Sequence, residues 1–289
     1  MQTNVSMQGK VVVITGATSG IGEVAAEELA AMGARVVLVA RDKVRGDQTL
    51  RRLRARGAGA DHRVHLADLS RLGEMKRVAA EIAAAEPRID VLINNAGALF
   101  NSRRVTEDGL EYTFAVNHMA YFVVTLGLRE RLAASAPARI INTASNAHRG
   151  ARLKLDDLQS ERKYTGFVAY GRSKLCNILF TRELARRLEG TGVTANSLHP
   201  GFVASRFGDA SGGVLGLAFP FFKLLAISPQ KGAETIVYLA SSPDAAVVNG
   251  GYFYKCRPAT PSGAAQDEAA ARRLWAESAR IAGLPPDQA

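Results

Sequence analysis

The stretch Val11-Val12-Val13-Ile14-Thr15-Gly16-Ala17-Thr18-Ser19-Gly20-Ile21-Gly22 leaves few folds open to this chain. Four β-branched residues in a row predict a fully buried strand. A glycine turn follows, and residues 23–32 have a helix-forming composition. Strand, glycine turn and helix make the opening half of a βαβ unit. Gly16 permits a tight turn, and Gly20 and Gly22 let backbone and helix approach a ligand closely. The helix then directs free N–H groups and a positive partial charge at that ligand, which suits a pyrophosphate. The spacing is Gly-x-x-x-Gly-x-Gly, and no Gly-Lys-Ser/Thr closes it as in a phosphate-binding Walker loop. A plain tight turn is the alternative, and the buried strand directly before it favours the nucleotide.

The pattern downstream keeps alternating. Strands are predicted over residues 35–40, 63–66, 89–94, 139–145, 193–198 and 251–254, and helices over 43–56, 71–85, 110–132, 167–189 and 229–240. Alternation of this kind predicts an α/β fold, a single doubly wound parallel sheet of about seven strands with helices on both faces. Ligand sites then lie at the carboxyl ends of the strands. No linker or repeat interrupts the 289 residues, so one Rossmann-like domain is expected over 1–289, with a loose N-terminus at 1–9. Two stretches break the alternation: a polar insertion at 149–165, and a Gly- and Phe-rich stretch at 211–227. Both fall on the carboxyl side of the sheet, where long loops usually carry function.

Composition excludes several other classes. A hydrophobic content of 47% supports a sizeable core. No apolar run reaches the roughly 18 residues of a transmembrane helix. Cys176 and Cys256 form no metal pattern, and with no secretory signal a cytoplasmic, reducing compartment is expected. The net charge of +10 is spread over helix faces, for example Arg51, Arg52, Arg54 and Arg56. A nucleic-acid surface would concentrate such charge beside exposed aromatics, so no nucleic-acid partner is expected.

Tyr170 and Lys174 stand at i and i+4 on one predicted helix, so they share a face. A phenol with a pKa near ~10 exchanges protons poorly at neutral pH. A neighbouring lysine charge favours the phenolate, and the pair then suits general acid/base work at a carbonyl or alcohol. The bland alternative is a buried tyrosine beside an exposed lysine.

Taken together, four motifs resemble the short-chain dehydrogenase/reductase family, in order and over nearly the whole chain. They are Thr15 to Gly22, Asn94-Asn95-Ala96-Gly97, Ser145, and Tyr170 with Lys174. The local sequences Ser145-Asn146-Ala147-His148, Tyr170-Gly171-Arg172-Ser173-Lys174-Leu175 and His199-Pro200-Gly201 are most similar to its retinol dehydrogenase-type branch. Animal members of that branch often begin with a hydrophobic anchor helix, whereas this chain begins Met1-Gln2-Thr3-Asn4.

The resemblance implies a role for each matching position. Tyr170 is the acid/base, Ser145 holds the substrate oxygen, and Lys174 holds the nicotinamide ribose and lowers the Tyr170 pKa. Asn117 anchors a water in a proton relay to the lysine. Gly16, Thr18, Ser19, Gly20 and Ile21 hold the pyrophosphate side. Asp68 and Leu69 meet the adenine, and Asn94, Ala96 and Gly97 line the adenosine side. Pro200, Gly201 and Val203 cover the nicotinamide, and Ser205 reaches the phosphates. His148 and His199 are framework or pocket-wall residues rather than ligands, with no catalytic role assigned. Dimers or tetramers through the helices at 110–132 and 167–189 are also implied.

At the end of the second strand, NAD sites usually place an acid for the ribose hydroxyls. Here that place holds Ala40, and Arg41 follows with a guanidinium suited to a 2′-phosphate. NADP is therefore the expected cofactor, with NAD possible because Asp42 lies one residue on. The expected reaction interconverts a carbonyl and an alcohol of a lipophilic, retinoid-like substrate. An NAD-dependent dehydrogenase of a small polar alcohol and an idle nucleotide-binding scaffold are the rivals. Within 211–227, Phe219, Phe221 and Phe222 flank Pro220 and suggest an apolar substrate lid that also touches a membrane surface. A short core helix is the alternative there.

Overall fold

The computed structural model describes residues 5–57, 60–203 and 227–285. Its strands are β1 (Val11–Thr15), β2 (Arg35–Ala40), β3 (Arg63–Leu66), β4 (Val91–Asn94), β5 (Ala138–Thr143), β6 (Val193–Leu198), β7 (Tyr252–Tyr254) and β8 (Arg257–Pro258). The helices are α1 (Gly20–Ala31), α2 (Lys43–Arg56), α3 (Leu72–Ala85), α4 (Tyr112–Phe114), α5 (Ala120–Ala134), α6 (Gly166–Arg187), α7 (Pro229–Ser241), α8 (Pro243–Ala246) and α9 (Glu268–Ala282).

One eight-stranded sheet runs β3-β2-β1-β4-β5-β6-β7-β8. Every neighbouring pair is parallel except β7 with β8. This is the doubly wound sheet that the alternation predicts. The order reverses between β1 and β4, and such a switch point opens a crevice at the carboxyl ends.

The strand period of two explains why β1 is apolar from Val11 to Ile14. Val11 and Val13 face one core layer, together with Met75 of α3, Phe122 of α5 and Leu175 of α6. Val12 and Ile14 face the other layer, with Leu29 of α1, Leu53 of α2 and Ile236 of α7. A strand with helices on both sides has no face left for polar residues.

Several boundaries differ from the sequence expectation. β5 stops at Thr143, and Ser145 instead caps the 3₁₀ turn Asn146–Gly150, its side chain accepting from the Ala147 N–H. The predicted helix over 110–132 is broken by a π-turn at Ala115–Met119. α1 opens at Gly20, ahead of the predicted start at 23. The insertion at 149–165 holds only short 3₁₀ turns.

Three elements were not anticipated: the single turn α8, β8 and α9. β8 pairs antiparallel with β7 through a turn in which Lys255 and Cys256 have positive φ, and neither is a residue type that signals such a turn. α9 had a legible signature. Asp267 caps it by accepting from the Ala270 N–H, and Gly283 ends it in the left-handed region. Its buried positions Ala271, Leu274, Trp275, Ser278, Ala279 and Ala282 follow the helical period.

Trp275 packs on Phe122 of α5 and Phe180 of α6, with ring centroids 5.0 and 5.7 Å away. At these rings α5 and α6, the helices expected to meet a second copy, are covered by the same chain. No helix among the described residues is long and apolar enough to cross a membrane.

His118 lies in the π-turn, fully buried among Phe114, Phe122 and Phe180, with Nε2 2.8 Å from Ser278 Oγ on α9. Burial pulls its pKa down to about 4. An unfolded histidine takes up a proton below about 6.5, whereas this one stays neutral while folded. Stability is therefore intact above that pH and falls as pH drops toward 4. The slope owed to this residue is about 1.4 kcal/mol per pH unit. Urea unfolding of His118→Gln between pH 6.5 and 4.5 is expected to show a shallower decline than the parent. An unchanged slope would clear His118 of this role.

Candidate active site

The carboxyl ends of β1 and β4 are fastened together. Thr15 Oγ1 accepts from the N–H groups of Asn95 and Ala96, at 3.0 and 3.1 Å. Asn95 Nδ2 donates back to the carbonyls of Thr15 and Gly16, at 3.2 and 3.0 Å. Gly16 has φ +68°, and a Cβ there would lie 2.6 Å from Ala96 Cα. Glycine is therefore required both by conformation and by space.

Gly22 has a different role from the one expected. A Cβ there would come within 2.3 Å of Asn95 Nδ2, so Gly22 serves the packing of α1 on the β4 end rather than ligand approach. Ser19 stands extended before α1, and its side chain caps none of the first-turn N–H groups. Those groups and the positive end of α1 face the crevice side of the sheet, an arrangement that fits a pyrophosphate.

Thr18, Ser19, Gly20 and Ile21 form this turn. Ile21 meets Val203 at Gly232 of α7, where a Cβ would be 2.7 Å from each side chain. The loop after β6 is thus brought to the glycine turn. Gly201 has φ +94°, and Val203 forms an isolated parallel bridge with Ile227. Pro200 connects this loop to β6. Ser205 and all of the proposed lid except Ile227 lie outside the described residues.

The adenosine side is mixed. Asp68 Oδ1 accepts from the Ser70 N–H and hydroxyl, at 3.0 and 2.8 Å, which holds the carboxylate in one orientation beside buried Leu69. Asn94 does not line this side with its side chain. Its amide is fully buried and donates to Thr125 Oγ1 and Asn142 Oδ1, both at 2.9 Å. Arg41 is exposed immediately after β2 and pairs with no carboxylate among the described residues. Asp42 caps α2, accepting from the Arg45 N–H at 2.9 Å.

The remaining residues converge on the end of β5. The Thr143 carbonyl accepts from Lys174 Nζ at 2.9 Å, from Asn177 at 3.4 Å and from the Tyr121 hydroxyl at 3.5 Å. Lys174 is buried, with Nζ 5.7 Å from the Tyr170 ring centroid. The Tyr170 phenol is hydrogen-bonded to Ser145. A Cβ on Gly97 would lie 3.5 Å from Lys174 Nζ and 3.3 Å from Asn117 Oδ1, so Gly97 borders both groups.

Asn117 is fully engaged. Its Oδ1 accepts from the Ala98 N–H at 2.8 Å, and Nδ2 donates to the Ala98 carbonyl and to Ser173 Oγ, at 3.0 and 2.9 Å. The side chain is a bolt between the β4 loop and α6, with its hydrogen-bonding capacity largely spent. Any water held by this residue would be held by its main chain, in the π-turn.

Burial is the main influence on both ionisable groups of the pair. Burial pushes the Tyr170 phenol up to about 12, against the pull of the Ser145 hydrogen bond. Burial pulls the Lys174 ammonium down to about 7. Lys174 is therefore not what governs the phenol in this form, and desolvation favours the uncharged state of both groups. A protonated phenol beside a hydroxyl is a proton donor ready for a developing alkoxide.

Sequence reasoning passed over Thr15, Asn95 and Ser173. All three sat inside quoted motifs without a role. Ser173 Oγ donates to the Tyr170 carbonyl at 2.7 Å while accepting from Asn117, a partnership between positions 56 residues apart that no local pattern signals. His199 is stacked on Tyr254 with centroids 4.0 Å apart.

The short chain dehydrogenase family model matches residues 10–212. Human retinol dehydrogenase 13 is 43% identical over 289 residues, covering 96% of this chain and 86% of that protein. Mouse retinol dehydrogenase 14 is 44% identical over 292 residues, covering 96% and 87%. Among solved structures, an uncharacterized protein from Mycobacterium Paratuberculosis superposes with a TM-score of 0.78 at 31% identity, covering 97% of this chain and 96% of that one. The Pseudomonas aeruginosa RhlG/NADP active-site complex gives 0.71 at 27% identity, covering 92% and 100%.

The chain belongs to the short-chain dehydrogenase/reductase family. It is an NAD(P)-dependent oxidoreductase whose relatives include the retinol dehydrogenases.

The turn that carries Ser145 leans on α6 at Gly171, where a Cβ would lie 2.7 Å from the Ala147 carbonyl oxygen. Gly171→Ala must displace that turn from the helix that carries Tyr170. The expected outcome is a loss of about 1–3 kcal/mol of stability, as overpacking costs, together with a fall in kcat. Denaturant titration and steady-state kinetics on the purified variant check both. Wild-type values for both would mean that the contact yields freely.

Proposed function

We propose that this protein interconverts a carbonyl and an alcohol of a lipophilic, retinoid-like substrate, preferring NADP(H), with Tyr170 as general acid/base. The observation that carries the reading is the convergence of Ser145, Tyr170 and Lys174 at the end of β5, beside Gly97. Ser145 would orient the substrate oxygen, and Tyr170 would deliver or remove its proton. Lys174, tethered to the Thr143 carbonyl, would hold the nicotinamide ribose. An anionic cofactor would favour the charged form of Lys174, which burial otherwise disfavours. The hydride is the contribution of the bound nicotinamide.

The glycine turn from Gly16 to Ile21 would hold the pyrophosphate, Asp68 and Leu69 the adenine, and the loop from Pro200 to Val203 the nicotinamide. Three observations support NADP over NAD. Ala40 stands where an acid would bind the ribose hydroxyls. Asp42 is occupied as the cap of α2. Arg41 is exposed beside them, with a guanidinium that suits a phosphate. The NADP named in the RhlG complex agrees with this reading.

The lipophilic substrate class rests on the retinol dehydrogenases among the relatives and on the apolar sequence at 213–225. A reducing, cytoplasmic compartment is consistent with Cys176 and Cys256, both free thiols.

Tyr170→Phe removes one hydroxyl and is expected to keep fold and cofactor binding while kcat drops roughly 100-fold or more. Turnover on an aldehyde panel, with cofactor affinity read by nucleotide fluorescence, tests this. Near-normal kcat would refute the mechanism. For the cofactor, Arg41→Ala is expected to raise KM for NADP about tenfold or more while leaving KM for NAD nearly unchanged, since only one ligand carries the phosphate. Equal effects on both would remove Arg41 from the site.

A further inference from the structure

Beyond β8 the chain runs back across the turn that carries Ser145. Arg149 Nη2 donates to the Thr260 carbonyl at 2.7 Å. Two residues further on, the Ser262 backbone N–H donates to His148 Nε2 at 3.1 Å. The other ring nitrogen, Nδ1, lies 2.7 Å from the Ser145 carbonyl oxygen. A carbonyl only accepts and a backbone N–H only donates. One state of the ring satisfies both, neutral with its proton on Nδ1.

His148 is fully buried, and its ring is met edge-on by Tyr252 at 5.2 Å. Both polar atoms of the ring are therefore committed, one to each side of a bridge that spans 114 positions of sequence. Ser145 sits at one end with two duties. Its carbonyl accepts a hydrogen bond from His148 Nδ1, and its hydroxyl meets Tyr170. From the other side the same turn is pressed by Gly171 of α6. The turn is thus held between α6 and the segment after β8.

We propose that His148 is a positioning residue for the reaction, and that Ser262 anchors it, so that the C-terminal segment sets the placement of the Ser145 hydroxyl against Tyr170. This rests on the reading of Ser145 and Tyr170 given above. A buried framework histidine needs only a snug cavity. A bridge needs both of its arms, and the two cases separate experimentally.

Ser262 has φ −64°, which proline adopts, and its Oγ has no hydrogen-bond partner among the described residues. Ser262→Pro removes the N–H and sets the ring Cδ against His148 Nε2, so it breaks this arm by displacement. His148→Asn keeps a donor where Nδ1 stood and loses the Nε2 arm. His148→Gln keeps an acceptor where Nε2 stood and loses the arm to Ser145. In all three, kcat is expected to fall about tenfold or more with KM for NADP(H) held within about twofold, as a displaced catalytic group produces. Thermal melts of the same preparations check that each variant is folded.

Ser145→Ala serves as the reference. If it abolishes turnover while Ser262→Pro and His148→Asn keep the wild-type kcat, the bridge is refuted and the active-site reading stands. If Ser145→Ala turns over normally, both are refuted. Nitrogen-15 NMR of the histidine rings gives a readout without turnover. The bridge requires His148 to be protonated at Nδ1 and bare at Nε2, and the opposite tautomer would overturn it.

Discussion

The clasp between Thr15 and Asn95 is the contact on which the rest of the site depends. Parallel strands joined by helices separate at the switch point of a doubly wound sheet, and nothing in the sheet ladder itself fixes how the two loops leave it. Here the loops after β1 and β4 satisfy each other's backbone groups through one hydroxyl and one amide. Buried main-chain groups that would otherwise lack partners are paired by this exchange. Gly16 can then lie against Ala96 with no side chain between them. The crevice has its shape because the two backbones touch.

Around that crevice burial works against the charged forms of the ionisable groups. Tyr170 is driven up and Lys174 down by the same cause, removal from water. The partner that Lys174 Nζ meets, the Thr143 carbonyl, is a dipole rather than an anion. A buried lysine so placed is poised to gain charge when an anion arrives. The amides around it, Asn94, Asn117 and Asn142, are locked into buried networks and supply rigidity without charge.

The C-terminal part of the chain belongs to the same architecture. Trp275 covers Phe122 and Phe180, and Ser278 reaches His118 beside Asn117. Ser262 reaches His148 beside Ser145. Each histidine stands near a residue of the site and is met by a serine from the last part of the chain. The covering of α6 explains why its residues from Gly171 to Thr181 are buried without interruption. A helix apolar or buried on every side has a neighbour on every side.

By itself, the sequence determined what local chemistry can encode. The apolar run of β1 and the glycines after it dictate a buried strand and a tight turn, because branched side chains suit the one and only glycine suits the other. The spacing of Tyr170 and Lys174 places both on one helix face, because the helical period is fixed. Ala40 and Arg41 at the end of β2 were legible in the same way. So was α9, from Asp267 and Gly283 as its caps, although no element was assigned there from sequence. Tertiary structure alone decided whether Asp42 was available, because capping α2 occupies it. It alone turned Asn94 into the core and engaged Asn117 with Ser173. It alone set the burial that pushes the Tyr170 phenol up and the Lys174 ammonium down, because a desolvation cost depends on what surrounds a group and not on its neighbours in sequence. The link from His148 to Ser262 is of this kind too: it joins residues 114 positions apart, and only the packing of the finished chain brings them within a hydrogen bond.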